Sequence, residues 1–324
     1  MTEQRAGNSV FAPFLRAGSS VNRELARHAL DDPLAGEAVG PDPPWEAPLA
    51  FFAALHYLAL SGEAPRVAAA YRGDEPIWPA ARHALEEHFD FVRRFVRERP
   101  VQTNEVGRCW ALLPLFLLAA WRASAPVVDV IELGASAGLN LYWDRYHYVY
   151  PGLEWGPEAP VVLAGDWRGP FPAEALDAHV SVRRRVGIDR SPIDVTTDEG
   201  ALLLQSFLWA DQPERLERQR SAIEVMRRDP PRLVRANYLD ALPSVLAEAD
   251  PEVLTIVFSS ASMQYVSDEE FARVDAAIAD ATTPVAWATM EPARGTDDYG
   301  HFVLSLDREV LADVQYHGAW VEWH

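Results

Sequence analysis

The feature that most restricts the fold of this chain is an alternation that begins after Ala125. The runs "PVVDVIELG", "HVSVRRRVGID", "PRLVRANY", "EVLTIVFSS" and "TPVAWATMEP" are each short and apolar, and segments with helical spacing lie between them. A near-continuous apolar run suits a strand covered on both faces, and a helix between successive runs returns the chain so that the strands lie parallel. The expected fold is α/β: a doubly wound, mostly parallel sheet over 126–324. The tail "HFVLSLDREVLADVQYHGAWVEWH" alternates with period two, as an antiparallel hairpin pair closing the sheet would. A stretch at about 147–178, rich in Pro, Gly and Trp, reads as an insertion.

No strand is expected before Val127, so 1–125 reads as an N-terminal helical region. "PWEAPLAFFAALHYLALSG" should stop at Gly62, and "WPAARHALEEHFDFVRRFVRERP" should stop at Pro100. The most apolar run, "WALLPLFLLAAW", is too short to cross a bilayer and reads as a buried helix that Asn104 could cap. Ser267, three residues before Glu270, marks a capping box.

Composition narrows the function classes. The net charge of −19 argues against an extended nucleic-acid surface, because phosphate contacts need the opposite field. The tract Arg183, Arg184, Arg185 is a local exception that could contact an anion. A polar start without an apolar core and a single cysteine, Cys109, lead to the expectation of a cytoplasmic protein with no membrane association. No C-x-x-C or H-E-x-x-H occurs, and His83 and His88 do not share a helical face, so no metal is expected.

Gly134 to Gly138 spell G-x-S-x-G, which has two readings. As a nucleophile elbow it makes Ser136 the nucleophile of a serine hydrolase, with His301 and Asp268 available for a triad. That reading lacks an upstream oxyanion loop, since the preceding region is helical. As a cofactor loop it is a strand-loop-helix at the first crossover of the sheet, where small residues admit a ligand against the backbone. Glu132, two residues before the first glycine, occupies a position that dinucleotide-binding strands usually keep apolar.

The segment "ELGASAGLN" resembles the "E-x-G-x-G-x-G" loop of S-adenosylmethionine-dependent methyltransferases, with Ser136 in place of the middle glycine. "VGIDRSP" is similar to the second motif of those enzymes, which implies that Asp189 binds the cofactor ribose. "RLVRANYLDALP" looks like their third motif, with Asn237 where an acid is usual. The gap from Gly138 to Asp189 is about fifty residues, which implies an insertion. Together, "VQTNEVGR", "ELGASAGLNLYWDRY", "VGIDRSPIDV" and "FSSASMQYVSDEE" resemble an uncharacterised bacterial family, domain-of-unknown-function family 2332. The likeness runs through nearly the whole chain and implies a methyltransferase-like fold preceded by helices; the resemblance of the loop and second motif to methyltransferases implies S-adenosylmethionine as cofactor.

The implied cofactor shell is Glu132, Gly134, Ser136, Gly138, Asn140, Asp189 and Asn237. Substrate-facing groups should lie at strand carboxyl ends: Ser259, Ser260, Gln264 and Tyr265 after the fourth strand, and Glu291 after the fifth. The polar cluster Gln102, Thr103, Asn104, Glu105 and Arg108 could form a substrate clamp or simply cap a helix. If the methyl acceptor needs deprotonation, Glu105, Glu291 or His301 is the candidate catalytic base. The expected activity is methyl transfer to a small molecule or a protein side chain. The alternatives are a catalytically degenerate binding or regulatory protein on the same fold, and the serine hydrolase.

Overall fold

The computed structural model describes residues 8–171, 173–294 and 301–324. They fall into two compact units. One comprises the described residues up to Thr103 together with Ile193–Arg220; the other comprises Asn104–Pro192 together with the described residues from Ser221 onward.

The first unit is helical, with Ser20–Ala29, Pro33–Val39, Ala47–Ser61, Pro65–Tyr71, Ile77–Glu87, Phe89–Glu98 and Asp198–Ser206. Side-chain oxygens at Ser19, Asp32 and Thr197 accept backbone N–H groups that the first turns leave open. Ala47–Ser61 is largely buried and ends, as its sequence indicates, at Gly62 in the left-handed conformation (φ +82°). The expected helix ending near Pro100 is two helices, because His88 (φ −117°, ψ 29°) leaves the helical region between them.

The second unit carries the strands β1 (Val127–Leu133), β2 (His147–Tyr150), β3 (Leu153–Trp155), β4 (Val162–Ala164), β5 (Asp166–Arg168), β6 (Ser181–Asp189), β7 (Arg232–Arg235), β8 (Leu254–Ser260), β9 (Val285–Pro292), β10 (Phe302–Leu306), β11 (Glu309–Val314) and β12 (Trp320–Trp323). Nine form one sheet in the order β5-β12-β11-β10-β9-β8-β1-β6-β7. The run β7-β6-β1-β8-β9 is parallel, β10 to β12 continue it antiparallel, and β5 closes the far edge parallel to β12. The architecture is therefore α/β with a large, mostly parallel sheet and helices at the N-terminal end of the chain. The 147–178 stretch is more structured than a simple hairpin: β2, β3 and β4 form a separate small sheet, and β5 joins the main one. Asp307 (φ +51°) and Arg308 (φ +72°) make the tight turn between β10 and β11.

Both faces of the parallel strands are covered. On one, Phe116 of the helix Arg108–Arg122 meets Phe258 of β8, ring centroids 5.0 Å apart. On the other, Ile131, Leu133, Val257 and Trp287 pack with the helices Tyr238–Ala247 and Asp268–Ala279. Ser267 caps the latter through the capping box its sequence announces. All seven residues of β8 are buried, as a strand covered on both faces requires.

Arg108–Arg122 accommodates Pro114 by an exchange of partners. Pro114 has no N–H for the carbonyl of Trp110 four residues earlier. The Tyr150 hydroxyl donates to that carbonyl instead, at 2.7 Å, and Trp110 Nε1 donates to the carbonyl of Val149 at 3.0 Å. The exchange ties β2 to the helix. Among the described residues, no helix is long and apolar enough to cross a membrane.

Candidate functional site

Chain order reverses between β1 and β8: strands succeed one another outward through β6 and β7 on one side and from β8 to β9 on the other. Ligands of open α/β sheets bind beyond the carboxyl ends at such a point. Here those ends present the Gly134–Gly138 loop after β1, Asp189 at the end of β6, Ser259 to Ser262 after β8 and Glu291 at the end of β9.

The loop is held from within. Gly134, Ser136 and Gly138 all have positive φ (+74°, +53°, +80°), a conformation glycine adopts freely and serine only at a cost. The N–H groups of Gly134 and Ala135 donate to the carbonyl of Ile188, and that of Gly138 donates to the carbonyl of Ala135. Ser136 N–H donates to Asp189 Oδ2 at 2.8 Å, while Asp189 Oδ1 accepts Ser191 N–H at 2.7 Å. Leu139 N–H donates to Asn104 Oδ1 at 2.9 Å.

This last bond corrects the expected role of Asn104. It does not cap the helix that begins at Arg108, whose N-cap is Gly107 without a side-chain bond; it caps the turn after the glycine loop. That turn is a 3₁₀ helix, Leu139–Arg145, kinked at Tyr142, where the sequence suggested an α-helix. Arg185 of β6 donates to the carbonyl of Leu141 and to Asp144 Oδ2, both at 2.8 Å.

Behind the loop lies a buried polar chain. Asn140 Nδ2 donates to Glu132 Oε1 at 3.3 Å, and the Cys109 thiol lies 3.3 Å from Asn140 Oδ1. Burial pushes the Glu132 carboxyl well above its ordinary range, Asp189 adds to the rise, and Asn140 and Arg108 oppose it. Its second oxygen, Oε2, is buried and has no hydrogen-bond partner among the described residues. Burial also raises the Cys109 thiol, keeping it protonated and unreactive.

The remaining candidates separate. Arg108 is buried and donates to the carbonyls of Ser260 (3.1 Å) and Tyr316 (2.9 Å). Glu105 Oε1 accepts Gly107 N–H at 2.9 Å. Glu291 Oε1 accepts Ser262 N–H at 3.0 Å, and burial raises its carboxyl. Ser259 is fully buried, whereas Tyr265 is 68% exposed. Asn237 caps the helix Tyr238–Ala247 through Leu239 N–H at 3.1 Å. Gln102 belongs to the helical unit. His301 pairs through Nε2 with Asp313 Oδ1, and His324 Nε2 meets the other oxygen of Asp313. The triad acid expected for His301, Asp268, is instead bound by Arg294. The arginine tract is neutralised by carboxylates: Arg183 by Asp129 and Asp250, Arg184 by Glu248, and Arg185 by Asp144.

Two residues were missed by the sequence reading. Asp313 was hidden because only the β10–β11 register brings it to His301. Ser262 stood inside the quoted "FSSASMQYV", but nothing local distinguishes it from Ser259 and Ser260. Among the described residues, no three His, Cys, Asp or Glu side chains are grouped to hold a metal ion.

The donor set suits one kind of cofactor better than another. A diphosphate needs free backbone N–H groups, and those of Gly134, Ala135, Ser136, Gly138 and Leu139 are already engaged. A carboxylate has about four acceptor sites. Asp189 therefore keeps capacity for two further donors such as a ribose diol, and Glu132 Oε2 offers a place for a cationic or N–H group.

The chain belongs to the family described as "Uncharacterized protein conserved in bacteria (DUF2332)", whose model matches residues 9–323. No curated protein and no solved structure matches it.

Proposed function

For this member of an uncharacterised bacterial family, we propose S-adenosylmethionine-dependent methyl transfer to a small molecule or a protein side chain, on a methyltransferase-like sheet. One observation carries the reading. The glycine loop at the switch point has the amides of Gly134, Ala135, Ser136 and Gly138 engaged by its own chain and is flanked by Asp189 and the half-satisfied, buried Glu132. Such a site favours a phosphate-free nucleoside with a cationic centre. The strand order β7-β6-β1-β8-β9 supports the same reading, since it puts loop and acid on neighbouring strands.

Asp189 would hold the ribose, Glu132 the ammonium, and Asn237 would offer its amide nitrogen toward the base, its oxygen being committed to Leu239. When bound, the cofactor supplies a methyl group on a sulfonium, an electrophile that needs no acid to activate it. The chain's part is to align an acceptor and keep water out. Of the three candidate bases, Glu105 and Glu291 are buried with one oxygen each holding a backbone N–H. His301, 42% exposed and hydrogen-bonded to Asp313, would be the group to take a proton from an acceptor.

The test is amide exchange of the full chain with and without S-adenosylhomocysteine. Slowed exchange confined to Gly134–Gly138 and Asp189–Ser191 is the expected result. Protection elsewhere, or none at saturating ligand, would count against the reading. Rapid labelling of Ser136 by a fluorophosphonate would replace it with a hydrolase.

A further inference from the structure

The β8 strand does not run straight into its following helix. Ala261 takes a left-handed conformation (φ +55°), unusual for a residue with a side chain, held by its N–H donating to the carbonyl of Met290 at 3.0 Å and by Gln264 donating to its own carbonyl at 2.9 Å. Strain of this kind persists only where the surroundings enforce it. Its effect is to turn Ser262 back toward β1.

Ser262 then spends every polar group it has on a different element. Its N–H donates to Glu291 Oε1 of β9 at 3.0 Å. Its hydroxyl donates to the carbonyl of Leu133, the last residue of β1, at 2.8 Å. Its carbonyl accepts the Tyr238 hydroxyl at 3.4 Å from the helix after β7. Its Cβ faces Gly134 so closely that a Cβ built on Gly134 would lie 2.4 Å from it, where no two carbons can sit. Gly134 is therefore constrained twice, by its own φ of +74° and by the side chain in front of it.

We propose that Ser262 is a positioning residue for the Gly134–Gly138 loop: braced by Glu291, it fixes the point at which the chain leaves β1, and so sets the loop in its ligand-binding shape. The importance of that shape rests on the loop being the cofactor site. The bracing itself stands on the contacts alone.

The experiment is amide exchange on the full chain for Gly134→Ala, Ser262→Gly and the double variant, read at Ser136 N–H, with S-adenosylhomocysteine titrated in parallel. Ser262→Gly alone loses the bond to Leu133 and should speed exchange there about five- to tenfold, the worth of one hydrogen bond. Gly134→Ala should speed it further. In the Gly134→Ala background, Ser262→Gly should slow exchange, because removing one Cβ relieves the clash with the other. This reversal of sign is the signature of the wedge. Additive acceleration in the double variant would overturn the proposal.

If Gly134→Ala does not fold, Ser262→Ala decides the matter. Faster exchange confined to 134–138 supports bracing, and a uniform change across the sheet refutes it. A sign reversal across the variants with no ligand binding by wild type would keep the brace and remove the cofactor reading. Ligand binding by wild type with no reversal across the variants would do the opposite.

Discussion

Replacing Arg185 by methionine should be among the costliest single changes in the sheet-bearing unit. The guanidinium bonds Asp144 Oδ2 and the carbonyl of Leu141, each at 2.8 Å, and lies over the Tyr142 ring at 4.9 Å. The two charged side chains are only 6% and 7% exposed. An ion pair so buried gains little over an apolar pair, but losing one partner strands the other charge, which typically costs about 3–5 kcal/mol. Asp144 Oδ1 already lacks a partner among the described residues, and the half-exposed Arg145 guanidinium, 3.6 Å from Oδ2, takes up only part of the charge, so the loss falls at the lower end of that range. A loss of that size lowers the unfolding temperature by on the order of 10 °C. Urea denaturation followed by tryptophan fluorescence reads it directly, with buried Trp143 one residue from Asp144. Replacing Asp144 by leucine in the same chain should restore most of the loss, because no unpaired charge remains. A single variant costing under about 1 kcal/mol, or a double variant no better than the single, would refute the reasoning.

Other changes follow from the same contacts. Burial holds the His56 imidazole below its usual pKa, against hydrogen bonds to the carbonyls of Leu208 and Ser206. The folded state then binds fewer protons than the unfolded one, so this contribution is complete above about pH 6.5 and is lost as pH falls. Thermal unfolding across that range should be flatter for His56→Gln than for wild type. Glu132 shifts the opposite way, so its stabilising share is present below about pH 4.3 and is lost as pH rises. Glu132→Gln should therefore gain on wild type with rising pH in thermal melts while weakening S-adenosylhomocysteine binding; a variant that loses stability at neutral pH would contradict this. Phe258→Ala should cost about 3–5 kcal/mol in denaturant titration, because a fully buried ring against Phe116 leaves a cavity that two packed layers cannot close.

What the sequence disclosed was what local chemistry determines. Apolar runs gave β1, β8 and β9, Gly62 gave a helix end, and Ser267 with Glu270 gave a capping box. The glycines and Asp189 stood out because ligand loops need small residues and free carboxylates. What it concealed was pairing across distance. Asn104 meets Leu139 only because the chain folds back, and the β10–β11 register selects Asp313 rather than Asp268 for His301. The turn after Gly138 has helical spacing, yet it forms a kinked 3₁₀ segment whose Leu141 carbonyl is taken by Arg185, far along the chain. Ser262 looked like its neighbours, and its importance lies in the backbone twist at Ala261, which no spacing rule anticipates.

The central claim is that the Gly134–Gly138 loop and Asp189 hold S-adenosylmethionine. Calorimetric titration of the full chain with S-adenosylmethionine and S-adenosylhomocysteine, beside Asp189→Ala, tests it most directly. The account predicts micromolar binding by wild type that the variant abolishes while remaining folded. No heat at millimolar ligand, or equal binding by the variant, would contradict it.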